Sequence, residues 1–263
     1  MNTHDTIQPV ILPGESEFAV TQPDGSQLRG YFHDSGSGPV GVFVHGFRSH
    51  CNGEKSLAFA RHALGQGRSW LRFDMRGHGL SDGALEDQVV SYALADLQAV
   101  LNLTGDRKLI MLGSSMGGWM SLLAAMREPQ RVIGMVLIAP AFNFVQKNFA
   151  TLPAEVLATW QRDRHMYFPD AYGNEPYAVD FAIIEDALQY DVLSIPVDLD
   201  IPLHIIHGEA DIVIPLSNTH EFIDNVQLDR LVLETVPDGD HRLTDHIPLI
   251  TSHLDRVWQE ARS

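Results

Sequence analysis

Gly113-Ser114-Ser115-Met116-Gly117 follows the apolar run Lys108-Leu109-Ile110-Met111-Leu112 and leads into a helical stretch from Trp119 to Met126. The order reads strand, sharp turn, helix. A serine on such a turn is held in a strained backbone conformation with its hydroxyl lifted above the sheet edge. The strand end and the helix start nearly touch there, so the residues two before and two after the serine must be small. Gly113 and Gly117 meet this condition around Ser115, and Gly118 adds room. Ser114 does not compete, because Leu112 and Met116 at the matching offsets are too large. The first N–H groups of the helix lie beside the hydroxyl and favour a developing anion. Ser115 is therefore the candidate nucleophile.

A serine needs a base, and the base needs an orienting acid. On a strand–turn–helix frame these follow in the order Ser, acid, His. Downstream, Ile201-Pro202-Leu203-His204-Ile205-Ile206-His207-Gly208 reads as a buried strand, and Asp211 lies in the loop just past its end. Leu231-Val232-Leu233-Glu234-Thr235-Val236 is the next strand, and Pro237-Asp238-Gly239-Asp240-His241 is its loop. Ser115, Asp211 and His241 thus all fall at carboxyl ends of strands, the edge where sites form in open α/β sheets. Asp240 is badly placed to reach the ring of its own neighbour, and Glu209 reads as a solvated loop residue. The chain has 13 histidines, so a lone one carries little weight. His204 and His207 share a strand and lack the helical spacing of a metal pair.

An acyl-transfer site also needs two N–H donors aimed at the developing oxyanion. The residue after the nucleophile, Met116, supplies one. The second is expected from the loop after an early central strand; here that strand is Val40-Gly41-Val42-Phe43-Val44 and the donor is the Phe47 backbone, with His45 bracing the loop. Asp74 and Arg76, in the turn after Trp70-Leu71-Arg72-Phe73, read as residues that tie neighbouring loops together rather than as a reacting pair.

The set His45-Gly46-Phe47, Asp74-x-Arg76-Gly77-His78-Gly79-x-Ser81, Gly113-x-Ser115-x-Gly117 and His207-Gly208-x-x-Asp211 resembles the α/β-hydrolase family over nearly the whole chain. Within that family the chain is most similar to the mitochondrial branch of protein depalmitoylases that also cleave acyl glucuronides. Asn52-Gly53-x-Lys55, Arg72-Phe73-Asp74, Gly113-Ser114-Ser115-x-Gly117-Gly118-Trp119, Leu152-Pro153-x-Glu155-Val156 and Asp240-His241-Arg242 carry this likeness. The branch has a proline where this chain has His45. The resemblance implies an α/β-hydrolase fold, a mostly parallel eight-stranded sheet flanked by helices, with a short lid insertion.

The length of 263 residues suits a single α/β-hydrolase domain over 1–263. Strands are expected at 17–21, 27–33, 40–44, 69–73, 108–113, 132–138, 202–207 and 231–236, and helices at 54–65, 87–103, 115–127, 178–189, 216–225 and 246–260. The stretch 141–177 breaks the alternation and is rich in aromatics, so it is expected to form the lid. Phe142, Phe144, Trp160 and Tyr167 are its candidate pocket residues. Residues 1–13 are expected to be frayed. The start of the chain has no charged-then-apolar leader, no apolar run reaches membrane-span length, and the one cysteine, Cys51, cannot form an internal disulfide. A cytoplasmic location is the corresponding expectation. The net charge of −16 argues against nucleic acid and anionic membranes as partners. The expected substrate is a small carboxylester or acyl thioester, with no cofactor and no metal; oligomeric state is not readable. Amide or peptide cleavage by the same triad is the alternative. A non-enzymatic receptor on this fold would be expected to lose a triad member, and none is missing.

Overall fold

The strands sort their side chains between two cores by simple alternation. In the computed structural model, which describes residues 7–170, 173, 175–195, 197–226 and 228–261, Val42 and Val44, Leu109 and Met111, Met135 and Leu137, and Leu203 and Ile205 face one core. Phe43, Ile110 and Leu112, Val136 and Ile138, and Ile206 face the other. Strands buried on both faces read as continuous apolar runs, as parallel central strands must.

The strands are β1 (Ser16–Thr21), β2 (Gln27–His33), β3 (Val40–Val44), β4 (Ser69–Phe73), β5 (Leu109–Ser114), β6 (Val132–Ile138), a separate hairpin β7 (His165–Phe168) and β8 (Tyr177–Asp180), then β9 (Leu203–Gly208) and β10 (Leu231–Val236). Eight of them form one sheet in the order β1-β2-β4-β3-β5-β6-β9-β10. β2 runs antiparallel to β1 and β4, and every other pairing in the sheet is parallel. The helices are α1 (Glu54–Gly65), α2 (Val90–Leu101), α3 (Met116–Arg127), α4 (Ala154–Asp163), α5 (Ala182–Ala187), α6 (Leu216–Asn225) and α7 (Ile247–Glu260). Ile250, His253, Leu254, Val257 and Trp258 of α7 are buried, the spacing of one helix face. With Phe59, Ala60 and Ala63 of α1 they cover one side of the sheet, while α2 and α3 cover the other. Among the described residues no helix is long and apolar enough to cross a membrane.

The order β4-β3-β5 places a topological switch between β3 and β5, where successive crossovers diverge and leave a crevice at the carboxyl ends. The loop after β3 and the turn after β5 meet there. A Cβ placed on Gly46 would lie 3.1 Å from Ser115 Cβ.

Most expected elements lie within a residue or two of their observed bounds. Three expectations differ from the structure. The helix expected at 178–189 is instead β8 followed by the short α5, because β8 pairs with β7 from Tyr177 to Asp180, a partner that local sequence does not reveal. The departure from alternation therefore runs on through α5 rather than ending at 177. The helix expected at 87–103 is shortened to α2. At the start of the chain, residues 1–6 lie outside the described residues, but the segment after them is anchored rather than frayed. Leu12 is buried, its N–H donates to Glu15 Oε2, and the Val10 carbonyl accepts from Arg72.

Candidate active site

Ser115 sits at φ 55° and ψ −119°, between the last residue of β5 and the first of α3. This is the strained turn that the two glycines permit. A Cβ on Gly117 would lie 2.1 Å from the Val44 carbonyl oxygen, and one on Gly113 would lie 2.5 Å from the Gly117 carbonyl oxygen. Any side chain at either position would force the turn apart.

The loops after β9 and β10 are held together in the same way. A Cβ on Gly208 would lie 2.1 Å from the Gly239 carbonyl oxygen, and the Ala210 N–H donates to that oxygen at 3.0 Å. This contact sets Asp211 beside His241. His241 Nδ1 donates to Asp211 Oδ2 at 2.7 Å, and Ser115 Oγ donates to His241 Nε2 at 2.9 Å. The Asp211 carboxylate is fully buried; its Oδ1 accepts from the Val213 and Ile214 N–H groups, each at 2.8 Å. Burial alone would raise its pKa, but the hydrogen bonds from His207 and His241 outweigh burial and hold the carboxyl well below the usual carboxylate range. Asp211 is therefore a fixed anion next to the imidazole.

Asp240 does different work. Its Oδ1 accepts from the Arg242 and Leu243 N–H groups and shapes the loop. Cys51 is fully buried, and burial pushes its thiol pKa up, so it is a poor nucleophile. Among the described residues no cluster of three or more His, Cys, Asp or Glu side chains is arranged to hold a metal ion.

Two histidines to which the sequence reading gave no role beyond their motifs brace this edge. His207 Nε2 donates to the Ile214 carbonyl at 2.9 Å and lies 3.3 Å from Asp211 Oδ2, while its Nδ1 accepts from Thr219 Oγ1. His78 Nδ1 donates to the Arg76 carbonyl and its Nε2 accepts from the Arg48 N–H. His45 does the same one loop over, donating to the Gly46 carbonyl and accepting from the Met75 N–H. Both rings are buried and lie 4.9 Å apart. Burial lowers His45 to about 4 and His78 to about 3. Asp74 and Arg76 tie loops together and not to each other: Asp74 accepts from the Cys51 and Leu80 N–H groups, and Arg76 forks onto Asp96.

Ser115 and His241 open into a cavity of about 470 Å³, within the range of small-molecule sites. Phe47 and Met116 line it beside the serine. Val89, Val90, Val145, Phe149 and Ile183 give it an apolar wall continuous with the core, and Arg48, Lys55 and Arg242 add positive charge. Of the expected pocket residues, Phe144 lines the cavity; Phe142, Trp160 and Tyr167 do not. Phe142 is fully buried against Phe222 at 4.2 Å between centroids. Trp160 is buried inside the insertion, its Nε1 donating to the Val179 carbonyl and its ring packed edge-on against Phe149, Phe168 and Phe181. Tyr167 points out because β7 alternates, with Met166 and Phe168 turned inward, and it is 73% exposed. Phe149 and Tyr177 take the places expected for these residues on the cavity wall.

Known proteins agree with this architecture. The family described as "Serine aminopeptidase, S33" matches residues 39–185, more than half of the chain. The chain belongs to this family of α/β hydrolases. It is 29% identical to the mitochondrial palmitoyl-protein thioesterase ABHD10 of Rattus norvegicus over 223 residues, 84% of this chain and 75% of that protein. A crystal structure of a hydrolase from Agrobacterium vitis S4 superposes with a TM-score of 0.86 at 30% identity, covering 92% of this chain and 98% of the other. Alpha/beta hydrolase domain-containing protein 10 from mouse superposes with a TM-score of 0.84 at 26% identity, again covering 92% and 98%. The rat protein is named as mitochondrial, so the cytoplasmic location expected for this chain finds no support from it.

Proposed function

We propose that this protein is a serine hydrolase of carboxylesters or acyl thioesters, acting through an acyl-enzyme on Ser115. The observation that carries the reading is the unbroken chain from Ser115 Oγ to His241 to the buried Asp211 anion, at 2.9 and 2.7 Å. Ser115 Oγ attacks the acyl carbonyl carbon while His241 Nε2 takes its proton. Asp211 keeps the Nδ1–H tautomer in place and stabilises the imidazolium that forms. The tetrahedral oxyanion is met by the N–H groups of Met116 and Phe47. Met116 is the first residue of α3, whose N–H has no helical partner. Collapse breaks the bond to the leaving oxygen or sulfur, which receives the proton from His241. A water molecule, deprotonated by the same imidazole, then cleaves the acyl-Ser115 ester and restores the serine.

The insertion between β6 and β9 acts in this reading as a lid, with Phe144 and Phe149 contributing an apolar wall for the acyl group. The likeness to the palmitoyl-protein thioesterase supports an acyl thioester as one natural substrate class. The family description favours a second reading, aminopeptidase activity. An aminopeptidase of this fold would normally offer a carboxylate cluster in the lid to hold the substrate amine. Asp170 is the lid carboxylate that lines the cavity, and it is engaged by Arg48; Asp163 is engaged by Arg162. The ester reading is therefore the stronger. A panel of p-nitrophenyl esters, acyl thioesters and aminoacyl anilides tests it. Esters and thioesters are expected to turn over far faster, and anilide rates equal to butyryl and octanoyl ester rates would promote the peptidase.

A further inference from the structure

Lys55, the second residue of α1, is half-buried and lines the cavity. Its Nζ donates to Ser114 Oγ at 2.9 Å and to the Arg242 carbonyl at 2.7 Å. Each acceptor is the chain neighbour of a reacting residue: Ser114 precedes Ser115, and Arg242 follows His241. The two loops are far apart in sequence and come from β5 and β10, which are not adjacent in the sheet. Lys55 therefore bridges them without touching either reacting atom.

We propose that Lys55 is a positioning residue for the acyl transfer: its ammonium clamps the turn that carries Ser115 to the loop that carries His241. The proposal rests on the serine-hydrolase reading above. Charge-assisted hydrogen bonds are shorter and stronger than those of a neutral amine. The protonated lysine thus holds both loops, and the neutral one loosens them. The groups acting on its charge are Asp240 and Arg242 from the loop after β10 and Asp211 from the loop after β9, while Glu54, His50 and His241 line the same cavity. Burial is the largest influence and, despite the two aspartates, lowers Lys55 to about 8. The clamp is engaged below that pH and released above it. Because it acts on the alignment of nucleophile and base, its loss falls on kcat rather than KM. Small misplacements of reacting groups cost up to about 100-fold.

The test compares wild type, Lys55→Met, Ser114→Ala and K55C before and after alkylation with 2-bromoethylamine, which rebuilds a lysine-like side chain. Cys51 is fully buried, so alkylation of the folded protein is selective for the new thiol. Rates of Ser115 labelling by a fluorophosphonate and of p-nitrophenyl butyrate turnover are followed against pH. Lys55→Met is expected to lower kcat at pH 7 by about 10- to 100-fold, with KM within about twofold. It should also abolish a fall in wild-type activity centred near pH 8. Aminoethylation of K55C should restore kcat and return the alkaline fall, moved to lower pH by the electron-withdrawing sulfur. Ser114→Ala, which removes only a hydroxyl, should lose kcat in the same direction by a smaller factor. Unchanged kcat in Lys55→Met, a loss that aminoethylation leaves in place, or an alkaline fall that persists in Lys55→Met would each overturn the clamp. Absence of labelling at Ser115 in wild type would instead overturn the serine-hydrolase reading itself.

Discussion

The carboxyl edge of the sheet and the insertion between β6 and β9 both line one cavity, and they are built in opposite ways. At the edge, the Asp211 carboxylate is buried with both oxygens bonded, its neighbours His207 and His241 have partners on both ring nitrogens, and paired glycines force loops into contact. In the insertion, order comes from aromatic packing around Trp160 and from a two-stranded hairpin that joins no other sheet. Hydrogen bonds and close backbone approaches fix positions to a fraction of an ångström, as proton transfer demands. Aromatic packing tolerates adjustment, as a wall facing varied acyl groups requires. Under the proposed function, the chemistry falls to the edge and substrate choice to the insertion.

That division breaks most visibly at the acid. Asp211→Asn is expected to leave the fold intact and lower kcat by about 10⁴-fold, because the amide holds His241 in the wrong tautomer. Asp240→Asn, which perturbs only loop-shaping bonds, should cost far less. Steady-state kinetics with one ester decides between them, and the reverse order would move the acid to Asp240.

The insertion should respond differently. Trp160→Ala opens a hole in the aromatic cluster and is expected to destabilise the fold by about 3–5 kcal/mol. Surviving activity should show altered preference among acyl lengths. Tyr167→Ala, at an exposed position, should change neither. Thermal melts and the ester panel measure both; a change in substrate preference from Tyr167→Ala would mean that the outer face of the insertion meets substrate.

The sequence made the edge legible and left the insertion opaque, for a physical reason. Gly113 and Ser115 are constrained by neighbours a few residues away, Gly117 stands at the matching offset although its tightest neighbour is the distant Val44 carbonyl, and the loops bearing Asp211 and His241 follow strands marked by unbroken apolar runs. Local pattern suffices for such residues. Trp160, Phe142 and Tyr167 are placed by partners distant in sequence: the Val179 carbonyl, Phe222 and the β8 strand. An aromatic-rich stretch declares that rings will be buried without saying which of them face the cavity. Lys55 was visible as part of Asn52-Gly53-x-Lys55, but its two acceptors belong to loops that only the fold brings together.

A smaller effect concerns acid. Burial lowers both His45 and His78, so the unfolded chain takes up their protons near pH 6.5 while the folded one does so only near 4 and 3. Between these values the unfolded state binds more protons, and stability falls as pH falls. Asp211, held low in the fold, adds to the loss at still lower pH. Melting temperatures between pH 7 and pH 5 should decline, and less steeply in His78→Asn. Equal slopes would show that His78 does not carry this dependence.

The central claim, that the strained turn presents Ser115 as the nucleophile, is tested most directly by treating the protein with a fluorophosphonate and mapping the adduct by peptide mass spectrometry. The account predicts a single phosphonylated residue at Ser115, with labelling and ester turnover both abolished in Ser115→Ala. An adduct on Ser114, or labelling that survives Ser115→Ala, would contradict it.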